Sequence, residues 1–105
     1  MNEISESLIW DEINAAELRM NPQLAILWKA LRINPQKWKH RKHNYVEDHF
    51  WIVAIFGNKV IWYNDIESGF DLSTYSDFGA IDECGGNQFE LEMALQHVMN
   101  SIEAG

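Results

Sequence analysis

At the beginning of the chain, apolar residues recur with the period of an α-helix. Ser5 or Ser7 can cap the first amide groups, and the apolar positions that follow are Leu8, Ile9, Ile13, Ala16 and Met20. Asn21 followed by Pro22 is a typical second start, because Asn accepts an amide hydrogen bond and proline fits the first turn. A second apolar stripe consists of Leu24, Leu27, Trp28 and Leu31. The pattern predicts two consecutive helices, the first ending near residue 20.

From residue 50 onwards the pattern changes to one typical of β-strands. Apolar, mostly aromatic and β-branched residues fill 50–56 and 60–63, and a Gly-Asn pair at 57–58 separates the two runs. Residues 70–75 then alternate between apolar and polar, which predicts a half-exposed strand, and a shorter strand is expected at 79–82. The sequence therefore predicts an antiparallel sheet of three to four strands.

The Gly-Asn pair also predicts how the first two strands are paired. A two-residue turn at this position sets Ile55 opposite Val60 and Val53 opposite Trp62. Both alternating sets of positions in the first strand are apolar, so we expect that strand to be central and covered on both faces. Trp62 and Phe70 are expected to lie in the core.

The end of the chain returns to helical spacing. Asn87 with Glu90 three residues later resembles a capping box in which Asn replaces Ser or Thr. The apolar positions of this helix are Phe89, Leu91, Leu95, Val98, Met99 and Ile102. Residues 1–105 are thus predicted to form a single α+β domain, with two N-terminal helices, the antiparallel sheet and a C-terminal helix packed on the sheet.

The composition fits a folded protein without covalent or metal cross-links. Apolar residues make up 47% and aromatic residues 12% of the 105 residues, which is enough for a hydrophobic core. Cys84 is the only cysteine, so an intrachain disulfide cannot form and a reducing, cytoplasmic setting is expected. The N-terminus lacks the pattern of a secretion signal, and no apolar run approaches the roughly 20 residues of a membrane span.

Charge is distributed unevenly along the sequence. Seven Lys and Arg and no acidic residue lie between Glu17 and Glu47, whereas nine Asp and Glu and no cation follow Lys59. The net charge of −8 disfavours nucleic acid and anionic membranes as general partners. A field of this kind can steer and orient association, so the pattern favours a basic partner.

Residues with catalytic or metal-binding potential do not form a recognisable motif. His40 and His43 have the spacing of a metal-binding pair, but cations surround them, and His49 and His97 do not complete a local set of four ligands. Cys84 with a distant histidine is too common a combination to indicate a nucleophile. The sequence contains no phosphate-binding glycine loop and no serine elbow. We therefore expect no enzymatic activity, no metal and no cofactor.

The basic stretch 37–42 is the strongest feature in favour of a different function. Its cations flank Trp38, and Tyr45 follows, so the stretch could clasp phosphates while an aromatic ring stacks on a base. The acidic remainder of the chain opposes a polyanion, and a solvated connector is the simpler interpretation. A small nucleic-acid-binding or regulatory protein is the alternative function. A third is self-association of the basic part with the acidic part of a second copy, although a monomer is expected.

Residues 64–83 combine acidic and aromatic side chains without any Lys or Arg. Carboxylates accept bidentate hydrogen bonds from Arg, and aromatic residues bury a large area at low entropic cost, so this composition is typical of a protein-binding surface. The alternative is that the acids form the outer face of strands whose aromatic residues fill the core. The candidate site residues are Tyr63, Asp65, Glu67, Asp71, Tyr75, Asp77, Asp82 and Glu83.

In size, charge and its aromatic-rich acidic segment, the chain resembles the bacterial immunity proteins that neutralise nuclease toxins, including those of contact-dependent growth inhibition systems. The resemblance implies a basic protein toxin as the partner, a nuclease domain whose active site the acidic surface covers. The candidate carboxylates would pair with Lys and Arg of the toxin, with Tyr63 and Tyr75 as anchors. Charge reversal at Asp71 and Asp77 is then expected to weaken binding without lowering thermal stability.

Overall fold

The computed structural model describes residues 5–40, 49–64, 68–82 and 88–104, with the backbone alone at 40 and 104. In chain order the elements are α1 (Glu6–Arg19), α2 (Pro22–Leu31), β1 (Arg32–His40), β2 (His49–Phe56), β3 (Lys59–Asn64), β4 (Gly69–Thr74), β5 (Ala80–Ile81) and α3 (Leu91–Ala104). The fold class is α+β, as predicted, with two N-terminal helices and a C-terminal helix packed on the sheet.

The first two helices begin where the sequence indicates. The Ser5 hydroxyl accepts a hydrogen bond from the Leu8 amide at 3.3 Å, and the Asn21 side-chain oxygen accepts one from the Leu24 amide at 2.8 Å. Pro22 is the first residue of α2. Each cap satisfies an amide that the helix leaves without an internal acceptor, which fixes both starting points.

Glu17 connects α1 to α2 and to the start of β1. Its Oε2 accepts a hydrogen bond from the indole nitrogen of Trp28 at 2.7 Å and another from the guanidinium of Arg32 at 3.0 Å. The Arg32 guanidinium also lies 5.7 and 5.9 Å from the ring centroids of Trp10 and Trp28. Because Trp28 is buried, its N–H group depends on this acceptor.

Within the described residues the sheet has five strands, in the order β4-β3-β2-β1-β5. The neighbours from β1 to β4 are antiparallel, and β5 runs parallel to β1. The short strand expected at 79–82 is therefore present as β5, but it lies beside β1 and in the parallel direction. The central position predicted for β2 is confirmed, and residues on both of its faces are buried.

Strand β1 is one strand more than the sequence analysis predicted. Its residues include Asn34, Pro35 and two lysines, which are typical of a connector. The structure accommodates them in an irregular stretch: Arg32 is opposite Ala54 and Gln36 is opposite Ile52, so β1 advances four residues while β2 advances two. Pro35 lies in this interruption, where the missing amide removes no regular ladder bond.

The pairing of β2 with β3 agrees with the prediction near the turn and differs beyond it. Ile55 is opposite Val60, as expected, but Trp62 is opposite Ile52 rather than Val53. A β-bulge between Ile52 and Ala54 causes the shift, because a turn fixes the register of only the nearest pairs. As a result Val53 and its neighbour Ala54 both pack in the cluster on the helical side.

The two faces of the sheet bury separate hydrophobic clusters. The helix-side core contains Ile9, Ile13, Ala16, Leu24, Trp28, Val53, Ala54, Ile61, Phe70, Leu91, Ala94, Leu95 and Val98. The second core, on the opposite face, contains Trp38, Phe50, Ile52, Val60, Trp62 and Ile81. Phe70 and Trp62 are buried, as predicted, but on opposite faces.

The sheet is curled around the second core. The Asp82 amide, just after β5, donates to the carbonyl of Thr74 at the end of β4 at 3.0 Å, although β4 and β5 are the two outer strands. The Lys39 amide donates to the Gly79 carbonyl at 3.2 Å. These bonds bring the two edges of the sheet together at one end and enclose the aromatic rings between them.

Helix α3 begins later than the sequence pattern suggests. The Glu90 carbonyl accepts the first helical bonds, from the amides of Met93 and Ala94, whereas Phe89 forms a β-bridge with Phe70 through bonds of 2.8 and 3.0 Å. The predicted cap at Asn87 lies outside the described residues. Phe89 cannot start the helix because its amide and carbonyl are both bonded to β4, so the prediction that placed it in α3 was wrong.

Replacement of Gly69 tests the attachment of the segment before α3 to the edge of β4. A Cβ atom at this position would lie 2.6 Å from the Cα of Gln88, a backbone atom that cannot move aside independently. We expect Gly69→Ala to lower the free energy of unfolding by about 1–3 kcal/mol, the usual range for overpacking. Urea denaturation measures the change, with Gly57→Asn as the control. Gly57 has a φ of 58°, a value that Asn tolerates, and a Cβ atom there would meet open space. An equal loss of stability in both variants would contradict the close contact between Gly69 and Gln88.

Replacement of Glu17 tests its connection to Trp28. Glu17→Leu leaves the indole N–H without its acceptor, and we expect it to lower the free energy of unfolding by about 1–3 kcal/mol. Glu17→Gln keeps an oxygen acceptor in the same position and should recover part of the loss. Thermal denaturation of the two variants measures the difference, and equal stability would show that Trp28 does not depend on Glu17.

Candidate interaction surface

The connection from β4 to β5 forms an acidic corner, defined here as residues 75–82. Its first residue is held twice: the Tyr75 amide donates to the Asn58 carbonyl and the Tyr75 hydroxyl donates to the Gly57 carbonyl, both at 2.8 Å. Its last residue, Asp82, is bonded through its amide to Thr74. The corner is therefore fixed to the body of the sheet at both ends.

Phe78 lies at the exposed part of the acidic corner. Its side chain is 71% exposed, yet its ring centroid lies 4.8 Å from that of the buried Trp38. Trp38 also packs edge-on against Tyr75 at 5.2 Å. One side of the Phe78 ring is thus supported by the core, and most of the side chain is exposed to solvent.

Three of the candidate residues from the sequence, Tyr75, Asp77 and Asp82, lie in the acidic corner. Asp77 is exposed, and its carbonyl accepts a bond from the Ala80 amide at 3.1 Å. Asp82 is partly buried, and its carboxylate accepts a bond from the Ser76 hydroxyl at 2.8 Å. The corner therefore combines carboxylates with an exposed aromatic ring on a short, internally bonded segment.

Phe78 was not among the candidate site residues, although a signal for it was present. A large apolar residue between Asp77 and Gly79, in a segment otherwise rich in turn residues, has no strand or helix that would carry it into the core. Gly79 adopts a φ of 96°, which favours glycine, and this turn leaves the neighbouring Phe78 projecting.

The expectation that the charge of Asp71 can be reversed without lowering thermal stability was wrong, because Asp71 is buried. Its side chain is 0% exposed, although it lies on the polar face of a strand that was predicted to be half-exposed, and Ser73 on the same face is 3% exposed. Apolar and polar residues do alternate between the two faces of β4. The polar face, however, is covered by the second core and does not meet water. Charge reversal at Asp71 would bury an unmatched cation, so it cannot leave thermal stability unchanged.

Tyr63 lies away from the acidic corner. It packs edge-on against Phe70 at 5.1 Å on the helix side of the sheet. Tyr63 pairs with Phe70 near one end of the β3–β4 hairpin, and Lys59 pairs with Thr74 at the other. With about 3.3 Å per residue, four residue steps separate these pairs by about 13 Å. Asp65 and Glu67 follow the Tyr63 end of the hairpin, but they lie outside the described residues, as does Glu83.

The aromatic residue within the basic stretch 37–42 is not accessible for stacking in the structure. Trp38 is 2% exposed and points into the second core, so it cannot receive a nucleobase. The Lys37 ammonium lies 5.1 Å from the ring centroid of Trp51 and covers that side chain. Arg41, Lys42, His43 and Tyr45 lie outside the described residues. The described part of the stretch itself therefore supplies cations but no accessible aromatic ring of its own.

Part of the charge polarity of the sequence is used within the fold. The Arg19 guanidinium, at the end of α1, binds Glu92 in the first turn of α3 at 2.7 Å and Glu90, just before α3, at 2.9 Å. Arg32 pairs with Glu17 at 3.0 Å. Cations from the basic third thus bind acids from the rest of the same chain, which reduces the basic charge available to a second copy.

The Arg19–Glu92 pair shifts the ionisation of both groups. Burial opposes the charged form of Glu92, but hydrogen bonds from Arg19 and from its own backbone amide outweigh burial, and the pKa of Glu92 lies below its usual 4.5. The same hydrogen bond raises the pKa of Arg19. The pair is therefore fully charged at neutral pH.

Among the described residues, no group of three or more His, Cys, Asp or Glu side chains is arranged to hold a metal ion. No described helix is long and apolar enough to cross a membrane. No protein-family model, curated protein or solved structure matches the chain. The acidic corner and the charge of the chain are therefore the features of the molecule that bear on its function.

Replacement of Glu92 by Gln tests the ion pair through its pH dependence. Because folding lowers the pKa of Glu92, its stabilising effect is present above pH 4.5 and is lost as the pH falls through the lowered pKa. We expect Glu92→Gln to lower the free energy of unfolding by up to about 1 kcal/mol at neutral pH. The difference from the wild type should disappear in acid. Urea denaturation between neutral and acidic pH measures it, and in an Arg19→Gln background most of the difference should be absent.

Proposed function

We propose that this protein is an immunity protein that binds a basic protein toxin, a nuclease domain, and inhibits it by covering its active site with the acidic corner. It would act in the cytoplasm as a binding protein without catalytic activity or cofactor. The observation that carries the proposal is the exposed Phe78 between Asp77 and Asp82 on a segment fixed to the core.

Phe78 is suited to anchor a partner. Aromatic residues contribute a large share of the binding energy in protein interfaces when they enter a desolvated pocket. The contact with Trp38 holds one side of the ring, so less side-chain freedom is lost on binding than for a freely rotating residue. We therefore assign Phe78 the anchoring role that the sequence analysis gave to Tyr63 and Tyr75, with Tyr75 as its support.

The carboxylates supply charge complementarity. A nuclease must present Lys and Arg to bind phosphate groups, and Asp77 and Asp82 can accept hydrogen bonds from such cations. The net charge of −8 would accelerate the encounter with a basic protein by electrostatic steering. Glu83 directly follows Asp82 in the sequence, so we include it in the proposed toxin-binding surface. Asp65 and Glu67, between β3 and β4, remain predicted contributors.

The alternative of nucleic-acid binding through the basic stretch 37–42 is less well supported. Stacking on a base requires an accessible aromatic ring, and Trp38 is buried. The exposed ring near this stretch, Phe78, is flanked by carboxylates that repel phosphates. We therefore favour the protein partner.

The test is co-expression of the tagged chain with the product of the reading frame immediately upstream. If the proposal holds, the neighbour is toxic alone, co-purifies with this chain and is neutralised by it. Phe78→Ala should then weaken binding by about 2 kcal/mol, or roughly 30-fold in Kd. Asp77→Lys should mainly slow association, by about tenfold at low salt. Surface plasmon resonance separates the two effects.

Glu103→Lys is the matched control, because it reverses an exposed acid in the last turn of α3, which is not part of the acidic corner. It should reduce steering modestly and leave the dissociation rate unchanged. Equal effects of Asp77→Lys and Glu103→Lys would mean that only net charge matters and that the corner is not the interface. A harmless neighbour that does not bind, together with salt-sensitive retention of oligonucleotides, would favour the basic stretch instead.

A further inference from the structure

Strand β4 is an outer strand of the sheet, and every second residue directs its backbone groups away from β3. Phe70 uses its amide and carbonyl to bind Phe89, so both point outwards. By the alternation of an antiparallel ladder, Leu72 and Thr74 also direct their amides and carbonyls to the outer side. Such a row of groups is a template for pairing with another chain.

Each of these outward positions has a bond from within the molecule. Phe89 binds Phe70 through two hydrogen bonds, and the Asp82 amide binds the Thr74 carbonyl. Between them, the Leu72 amide donates to Oδ1 of Asp71 at 2.8 Å. A carboxylate thus occupies the place that the carbonyl of an added strand would take.

Asp71, the acceptor of this bond, occupies a position where an apolar residue would be expected. Asp71 is opposite Trp62 in the ladder and is fully buried on the face of the second core. Burial of a carboxylate is costly compared with burial of an apolar side chain of similar size, so a β-branched residue would suit the face better. An inward-pointing charge on an outer strand is, however, one of the ways in which sheet proteins prevent pairing between edges.

We propose that Asp71 closes the β4 edge against pairing with β4 of a second copy of this chain. Its side-chain oxygen holds the Leu72 amide, and this polar group keeps the strand from entering the continuous apolar sheet that a paired edge would form. This role is independent of the toxin proposed above.

The test compares Asp71→Val, which removes the acceptor and the charge, with Asp71→Asn, which keeps an oxygen acceptor of the same geometry. In Asp71→Val we expect the Leu72 amide to exchange with solvent at least about tenfold faster in dilute samples. Sedimentation velocity should show a mass that rises with protein concentration. Asp71→Asn should remain monomeric, with Leu72 exchange close to that of the wild type.

A folded Asp71→Val variant that stays monomeric at high concentration, with unchanged Leu72 exchange, would overturn the proposal. If Asp71→Val fails to fold, hydrogen exchange of the Leu72 amide in the wild type and in Asp71→Asn tests the proposal instead. Protection of the Leu72 amide by more than about tenfold over an exposed amide, in both proteins, supports its hydrogen bond to the side chain of residue 71. Exchange at the rate of an exposed amide in the wild type overturns it.

Discussion

The packing of Trp38 against the inside of the curled sheet connects the fold to the surface proposed to bind a partner. Trp38 is opposite Phe50 in the β1–β2 ladder, and Phe50 in turn packs edge-on against Trp62 at 5.0 Å. On its other side Trp38 supports Tyr75 and Phe78. The residues after β4 lie against these rings on the way to β5, which is hydrogen-bonded to β1. This aromatic contact supports Phe78 in addition to the hydrogen bonds that fix the acidic corner at both ends.

The same closure explains the two unexpected properties of β4. Because the sheet curls, the face that carries Asp71 and Ser73 becomes an interior, and its polar groups must find partners inside the molecule. Ser73 accepts a hydrogen bond from the Trp62 indole at 2.9 Å, and Asp71 accepts one from the Leu72 amide. Both residues thus serve the sheet itself, whereas Asp77 in the following turn is exposed.

The uneven charge of the sequence has two consequences in the folded protein. Arg19 and Arg32 are used in ion pairs that hold α1 against α3 and against the start of β1. The acidic corner, in contrast, combines its carboxylates with an exposed ring on a fixed turn. A basic protein with an apolar pocket would match this combination, whereas a polyanion would be repelled by the carboxylates.

The sequence by itself determined the features that depend on neighbouring residues. These are the two capped helices, the hairpin at Gly57, the pairing of Ile55 with Val60 and the order of helices and strands, because helix caps, turns and periodicity act over a few positions. Only the tertiary structure decided the features that depend on distant residues. These are the bulge at Val53, the inclusion of residues 32–40 as a strand, the burial of Asp71 and the support of Phe78 by Trp38, each of which requires segments far apart in the sequence to pack together. Alternation along a strand distinguishes its two faces, but which face meets water depends on what the remainder of the chain covers.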